Sequence, residues 1–202
     1  MFNNAFIIDD STSNIMLIEI LKTHQLNKAV NDNNKILVGK FNNISWIRCE
    51  GKGSFSNSPR MKQWAESHIE AGGNCVVIDL EECTGMDSTF MGTMAGIAMK
   101  LAKLPDGLLQ VVGANHRNKS SLEDLGLCML LEVDPENPEW KPNMDSMRAS
   151  LKEGPELSTN DSFEHVLDAH KLLCEADENN DEKFSTVLDV LEAELKNRSN
   201  QN

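Results

Sequence analysis

Short apolar runs and helix-length amphipathic stretches alternate along the chain between residues 36 and 133. The apolar runs occupy residues 36–38, 44–49, 75–80, 108–112 and 128–133. The first two runs are close neighbours, whereas a helix-length stretch precedes each later one. Strands that alternate with helices predict a mixed, mostly parallel sheet with helices packed on it. The predicted order of elements is therefore β-β-α-β-α-β-α-β.

Three helices and two connections follow from the same pattern. Helices are predicted at residues 60–71, 88–103 and 118–125. The first carries a stripe at helical spacing, made of Met61, Trp64, Ala65, His68 and Ile69. Asn42 and Asn43 predict a two-residue turn between the first two strands, because Asn tolerates positive φ. Residues 51–59, rich in Gly and Ser, predict a loop.

The pattern changes after residue 134. Pro135, Pro138 and Pro142 predict an extended linker, because the residue before a proline is kept out of the helical region. Two amphipathic stretches joined by the acidic residues 175–182 then predict a helical hairpin. The predicted organisation is an N-terminal helical extension (1–34), an α/β domain (35–134), a Pro-containing linker (135–160) and an acidic helical hairpin (161–198).

Composition narrows the classes of function. The chain has 202 residues, 40% of them hydrophobic, and a formal net charge of −13. That charge repels phosphate backbones and anionic lipid, so neither nucleic acid nor a membrane is an expected partner. The five cysteines show no zinc or disulfide spacing, which predicts free buried thiols in a reducing compartment. Without a bilayer-length apolar run or a signal peptide, a soluble cytoplasmic protein is expected.

Several local patterns resemble known sites but are incomplete. The acidic pair Asp9-Asp10 after an apolar run resembles the start of a receiver domain, but the remaining strand–helix units do not follow. Asp177, Asn179 and Asp181 match half of a calcium loop whose later Gly and Glu positions hold Glu182 and Leu188. The five histidines form no metal-binding pair, and buried histidines on apolar helical faces are the expected explanation of His68 and His170. No cofactor and no metal site are expected.

Residues 76–92, VVIDLEECTGMDSTFMG, carry the most specific pattern in the chain. A buried strand ending in Asp79-Leu80 leads through a loop to Asp-Ser-Thr at a helix start. This motif resembles the central motif of STAS domains, and more narrowly that of anti-sigma factor antagonists in bacterial partner-switching systems. Asp87, Ser88, Thr89 and Gly92 match, and Met91 stands for the family's aliphatic residue. Phe90 replaces the motif's first glycine, and residues 109–127 resemble the family's fourth strand, third helix and closing Gly-Leu.

The resemblance implies a regulator of transcription that is not an enzyme. Its unphosphorylated form would bind an anti-sigma factor that is also a serine kinase. That kinase would phosphorylate Ser88, with Thr89 as the second choice, and a PP2C-type phosphatase would reverse the modification. The implied partner-binding residues lie in the loop before the first domain helix and at the start of the second: Gly53, Ser54, Phe55, Asp87, Thr89, Phe90, Met91 and Met94.

Elementary physics supports a role for Ser88. Asp87 or Ser88 lies in the N-cap region, so a phosphate on the Ser88 hydroxyl would add about −1.5 to −2 charges at the positive end of a helix dipole. The helix is apolar on more than one face, and Gly92 and Gly96 permit close approach of a packed element. Its second face is either a binding surface rich in methionine or a surface covered by the N-terminal helix or the hairpin.

Two other functions stay open at this stage. A constitutive STAS scaffold would act without phosphate, through homodimerisation or contacts of the helical hairpin. An enzyme with Ser88 as nucleophile would need a general base and an oxyanion site, and neither is evident in the sequence.

Overall fold

The computed structural model describes residues 34–154 and 162–199. The predicted N-terminal helix lies outside the described residues. The strands are β1 (Lys35–Phe41), β2 (Ile44–Gly53), β3 (Cys75–Asp79), β4 (Cys83–Met86), β5 (Leu108–Val112), β6 (Glu132–Val133) and β7 (Lys152–Glu153). The helices are α1 (Ser58–Glu70), α2 (Ser88–Leu101), α3 (His116–Asp124), α4 (Met144–Ala149), α5 (Ser162–Ala176) and α6 (Asn179–Ser199).

The predicted mixed sheet is confirmed. Its strand order is β6-β5-β3-β2-β1-β7, and β4 pairs separately with the end of β2. Strands β2, β3, β5 and β6 run parallel, whereas β1 is antiparallel to both of its neighbours. Asn42 makes the predicted two-residue turn between β1 and β2 at a φ of +54°.

Helices α1, α2 and α3 cover one face of this sheet. Alternate strand residues such as Val76 and Ile78 point into the resulting core, where they join Met61, Met94 and Leu122 from the helices. Burial of these side chains drives the helices onto the sheet. Helix α1 ends as predicted before Gly72, whose φ of +88° is the left-handed conformation that glycine adopts most readily.

The predicted extended linker is wrong for residues 135–154. This segment folds over the second face of the sheet, contributes helix α4, and pairs β7 with β1. Its Trp140 packs edge to face on Trp46 of β2, with 5.0 Å between ring centroids. Because Trp46 and Val77 point away from the helical face, they need an apolar cover, and Trp140 provides it. The prolines of residues 135–154 therefore lie in a folded segment that covers the second face of the sheet, and not in an extended linker.

A buried ion network connects residues 135–154 to the sheet. Asp79, at the end of β3, is completely buried. Its two carboxylate oxygens accept hydrogen bonds from Nε and Nη2 of Arg148 in α4, at 2.7 and 3.0 Å. Arg48 and the indole N–H of Trp46 donate to the same carboxylate at 3.2 and 3.3 Å. The buried charge is thereby compensated by donors from strand β2 and from the segment that covers this face.

Two further local predictions differ from the structure. Strand β4 lies in a stretch expected to be a loop, and it pairs with β2 through an irregular register between Gly51 and Lys52. Residues 128–133 were expected to form a full strand. They instead contain the end of a short 3₁₀ helix, Leu127–Met129, and the two-residue strand β6.

Helices α5 and α6 form the predicted hairpin. They share a small apolar core made of Phe163, Val166, Leu167, Val187 and Leu191. The acidic turn between them is closed by Asp177, which accepts hydrogen bonds from the backbone and side chain of Asn179 at 2.9 and 2.8 Å. This stretch caps α6, in agreement with its interpretation as a turn.

Two surface properties complete the description. Within residues 34–154 and 162–199, no helix is long and apolar enough to span a bilayer. The five cysteines are free, but Cys128 is exposed, so the expectation that all of them are buried is wrong for that residue.

Candidate functional site

Asp87 joins the start of α2 to the loop between β2 and α1. One of its carboxylate oxygens caps the helix by accepting the N–H of Phe90 at 2.9 Å, and the other accepts the N–H of Phe55 at 2.9 Å. Burial raises the pKa of this carboxyl, although the two N–H donors favour its charged form. The helix cap is therefore Asp87, and Ser88 is the first residue of the helix.

The hydroxyl of Ser88 is held by a histidine from the hairpin. Oγ of Ser88 lies 2.9 Å from Nε2 of His170, and Nδ1 of the same ring lies 2.8 Å from the carbonyl oxygen of Val166. A carbonyl only accepts, so Nδ1 carries a proton. Burial lowers the pKa of His170 and favours the neutral ring. Nε2 is then the acceptor, and Ser88 donates.

The hairpin packs closely against α2 at a glycine. A Cβ placed on Gly92 would lie 2.2 Å from the carbonyl oxygen of Ala169, whereas one on Gly96 would meet only the side chain of Leu172. The backbones of α2 and α5 therefore come closest at Gly92. The close approach expected at these two glycines occurs, and the packed element is the hairpin. The open question about the second face of α2 is thus answered: α5 covers it.

A second histidine of α5 reaches two more hydroxyls. Nε2 of His165 lies 2.8 Å from Oγ of Ser58 and 3.4 Å from Oγ1 of Thr93. Burial lowers the pKa of His165 to about 4, with nearby Lys62 acting in the same direction. The interface between the hairpin and the α/β domain therefore contains two neutral histidines, each hydrogen-bonded to a hydroxyl of the domain.

The structure brings the predicted partner-binding residues together, but it buries most of them in the core of the domain or beneath the hairpin. Phe90 and Met94 are completely buried, and Thr89 and Met91 are nearly so. The ring of Phe90 lies only 2.9 Å from where a Cβ on Gly53 would be, so the missing side chain of Gly53 leaves room for the bulky residue that replaces the motif glycine. Phe55 packs against the hairpin's own core, and Ser54 is buried.

His165, His170 and Ala169 were missed as site residues. The placement of His170 on an apolar helical face pointed to a buried interface. Nothing in the sequence, however, indicated which helix that face would meet. The statement that no general base is evident near Ser88 also needs correction, because His170 stands in the position of one. It is only 1% exposed, and the cavity beside α2 is lined by residues other than Ser88 and His170.

The chemistry of the site is that of a hydroxyl at a capped helix start. Among the described residues, no group of three or more His, Cys, Asp or Glu side chains could hold a metal ion. A phosphate on Oγ of Ser88 would meet the positive end of α2. It would also remove the hydrogen that Ser88 donates to Nε2 of His170, so this contact between α2 and the hairpin could not persist in its present form.

The fold and this site define an α/β domain with a hydroxyl-bearing helix start at the carboxyl ends of its parallel strands. The chain belongs to the STAS domain family, whose model matches residues 35–138, just over half of the chain. Comparison with curated protein sequences gives no significant match.

Solved structures with a similar fold include anti-sigma factor antagonists. SpoIIAA in its unphosphorylated form is 13% identical, with a TM-score of 0.45, over 56% of this chain and 97% of that one. The phosphorylated form of the Bacillus cell fate determinant SpoIIAA is 16% identical, with a TM-score of 0.44, over 56% and 99%. An anti-sigma factor antagonist from Mycobacterium paratuberculosis is 18% identical, with a TM-score of 0.47, over 59% and 98%.

Proposed function

We propose that this protein is an anti-sigma factor antagonist whose partner binding is controlled by phosphorylation of Ser88. In its unphosphorylated form it binds an anti-sigma factor that is also a serine kinase, and thereby releases the sigma factor. The kinase modifies Ser88, and a PP2C-type phosphatase removes the phosphate. The protein acts by binding, and Ser88 is a substrate residue for the kinase.

The observation that carries this proposal is the Asp87-Ser88-Thr89 step at the start of α2. Asp87 is engaged as the helix cap and as the anchor of Phe55, whereas the Ser88 hydroxyl bonds only to a side chain of the hairpin in the contacts described above. Thr89 is 1% exposed, which supports Ser88 as the first choice. A phosphate on Ser88 would change the charge of the surface without removing the cap of the helix.

The phosphorylation site is tested by mass spectrometry of phosphopeptides from the protein purified from its native host, during growth and under stress. We expect phosphate on Ser88, and its loss in a strain that carries Ser88→Ala. Phosphate on Thr89 instead would keep the mechanism and move the site. Absence of phosphate under every condition would contradict the proposal and favour a constitutive STAS scaffold.

A further inference from the structure

The hairpin occupies the surface that the proposed function assigns to the partner. It lies on α2 at Gly92, holds the hydroxyl of Ser88 through His170, and packs on Phe55 of the loop between β2 and α1. These contacts cover both halves of the predicted partner-binding set. A partner can therefore reach this surface only after the hairpin has dissociated from it.

Two properties allow the hairpin to leave as a unit. It has an apolar core of its own, defined by Phe163, Val166, Leu167, Val187 and Leu191, whereas Leu173 of α5 belongs to the core of the domain. Its contact with the domain is also bordered by an open cavity of about 330 Å³ between α1, α2 and α5. The hydroxyl groups that His165 and His170 engage are groups that water can also satisfy.

The charges around that cavity indicate what kind of helix fits. On the domain side it is lined by Lys62 of α1, by Lys100 of α2 and by Lys103 just after that helix, together with one carboxylate, Glu66, which pairs with Lys100. The hairpin contributes Asp168 and Glu175 together with one lysine, Lys171, and Asp168 lies 3.9 Å from Lys62. On a chain with a net charge of −13, this concentration of lysines is a local exception. Complementary charge selects an acidic flank in whatever helix occupies the surface.

We infer that the face of α2 that α5 covers is a docking surface for an acidic amphipathic helix of the anti-sigma factor kinase, and that α5 is its intramolecular competitor. This inference rests on the proposed function. The partner helix presents a small residue at Gly92, as Ala169 does, and an apolar residue four positions later, as Leu173 does. The hairpin sets the fraction of molecules that are competent to bind and to be phosphorylated.

The test uses the full chain with a substitution that releases the hairpin. Leu173 is completely buried against the domain, so Leu173→Asp is expected to release α5. Thr186→Asp adds the same charge at an exposed position of α6 and is the matched control. The probes are the purified serine kinases of the host that also act as anti-sigma factors. Affinity is measured by calorimetry, and phosphorylation of Ser88 by mass spectrometry.

We expect Leu173→Asp to bind a kinase roughly tenfold tighter than the wild-type chain and to be phosphorylated faster, with Thr186→Asp unchanged. Equal affinity for all three proteins would overturn the competition while the proposed function stands. Absence of binding by all three would overturn the proposed function, and this inference with it.

A reversible disulfide between α2 and α5 provides a second test, which can be used if Leu173→Asp does not fold. A Cβ on Gly96 would lie 2.6 Å from a terminal methyl and 3.7 Å from Cγ of Leu172, so Gly96→Cys with Leu172→Cys is within reach of a disulfide. Cys128 and Cys174 are replaced by Ser to prevent mispairing. Oxidation is expected to weaken kinase binding roughly tenfold relative to the reduced form of the same protein. Unchanged affinity on oxidation would overturn the inference.

Discussion

Replacement of Arg148 by Met is expected to lower the free energy of unfolding by about 3 kcal/mol. The substitution keeps most of the side-chain volume but removes the two charge-assisted hydrogen bonds to Asp79, at 2.7 and 3.0 Å. Asp79 is 0% exposed, so its charge would then depend on Arg48, Trp46 and the backbone N–H of Glu81. Breaking one side of a buried ion pair is costly, because the remaining charge stays without water.

Urea unfolding followed by circular dichroism measures this effect. Arg117→Met is the matched control, because Arg117 is exposed on α3, and a change below about 0.5 kcal/mol is expected there. Adding Asp79→Asn to Arg148→Met is expected to restore part of the loss by removing the stranded charge. Equal effects of the two arginine substitutions would show that α4 is not anchored through Asp79.

Replacement of Gly92 by Ala is expected to destabilise the protein by about 2 kcal/mol, against the usual sign of this change in a helix. Helix propensity alone predicts a gain of about 1 kcal/mol from Gly to Ala. The new Cβ, however, would lie 2.2 Å from the carbonyl oxygen of Ala169. Backbone cannot rotate away from such a contact, so α5 must move off α2.

Gly96→Ala is the matched control for this prediction. It changes the same residue type in the same helix, but its Cβ would meet only the flexible end of Leu172, at 2.6 Å. We expect it to be neutral or stabilising in urea unfolding, and hydrogen exchange in α5 to rise for Gly92→Ala alone. Equal stabilisation by both substitutions would contradict the close packing of α5 on α2 at Gly92.

The sheet and its helices could be predicted because the apolar pattern of each segment matches the way that segment is buried in the fold. The apolar run of residues 75–80 is continuous because β3 is buried on both faces, and Asp87 caps α2 as its position before the helix suggests. Strand β4 could not be predicted, because its four residues carry no apolar alternation. It exists through pairing with the end of β2.

The sequence of the segment that covers the second face of the sheet contains a helical pattern, which the interpretation of its prolines as a linker overlooked. Trp140, Met144, Met147 and Leu151 recur three or four residues apart and all join the cluster around Trp46. That spacing is typical of an amphipathic helix. The pairing of Arg148 with Asp79 had no such signal, since it links residues that are 69 positions apart.

The arrangement at Ser88 shows the limit of prediction for the site. The motif at residues 87–92 identified the helix start and its hydroxyl. It placed Phe90 and Met94 at a partner-binding surface, whereas both are buried in the core because α2 is covered on two sides. The sequence pattern predicted the hairpin as an amphipathic unit. Only the folded structure shows that α5 packs on α2 and that His170 reaches Ser88.

If a phosphate on Ser88 controls partner binding, it must change the affinity of the protein for the kinase. The most direct test is the affinity of the cognate kinase for the unphosphorylated and the Ser88-phosphorylated chain, both with Leu173→Asp so that hairpin release is the same. The added charge of about −1.5 to −2 at the start of α2 predicts binding at least roughly tenfold weaker for the phosphorylated form. Equal affinity of the two forms would contradict the account.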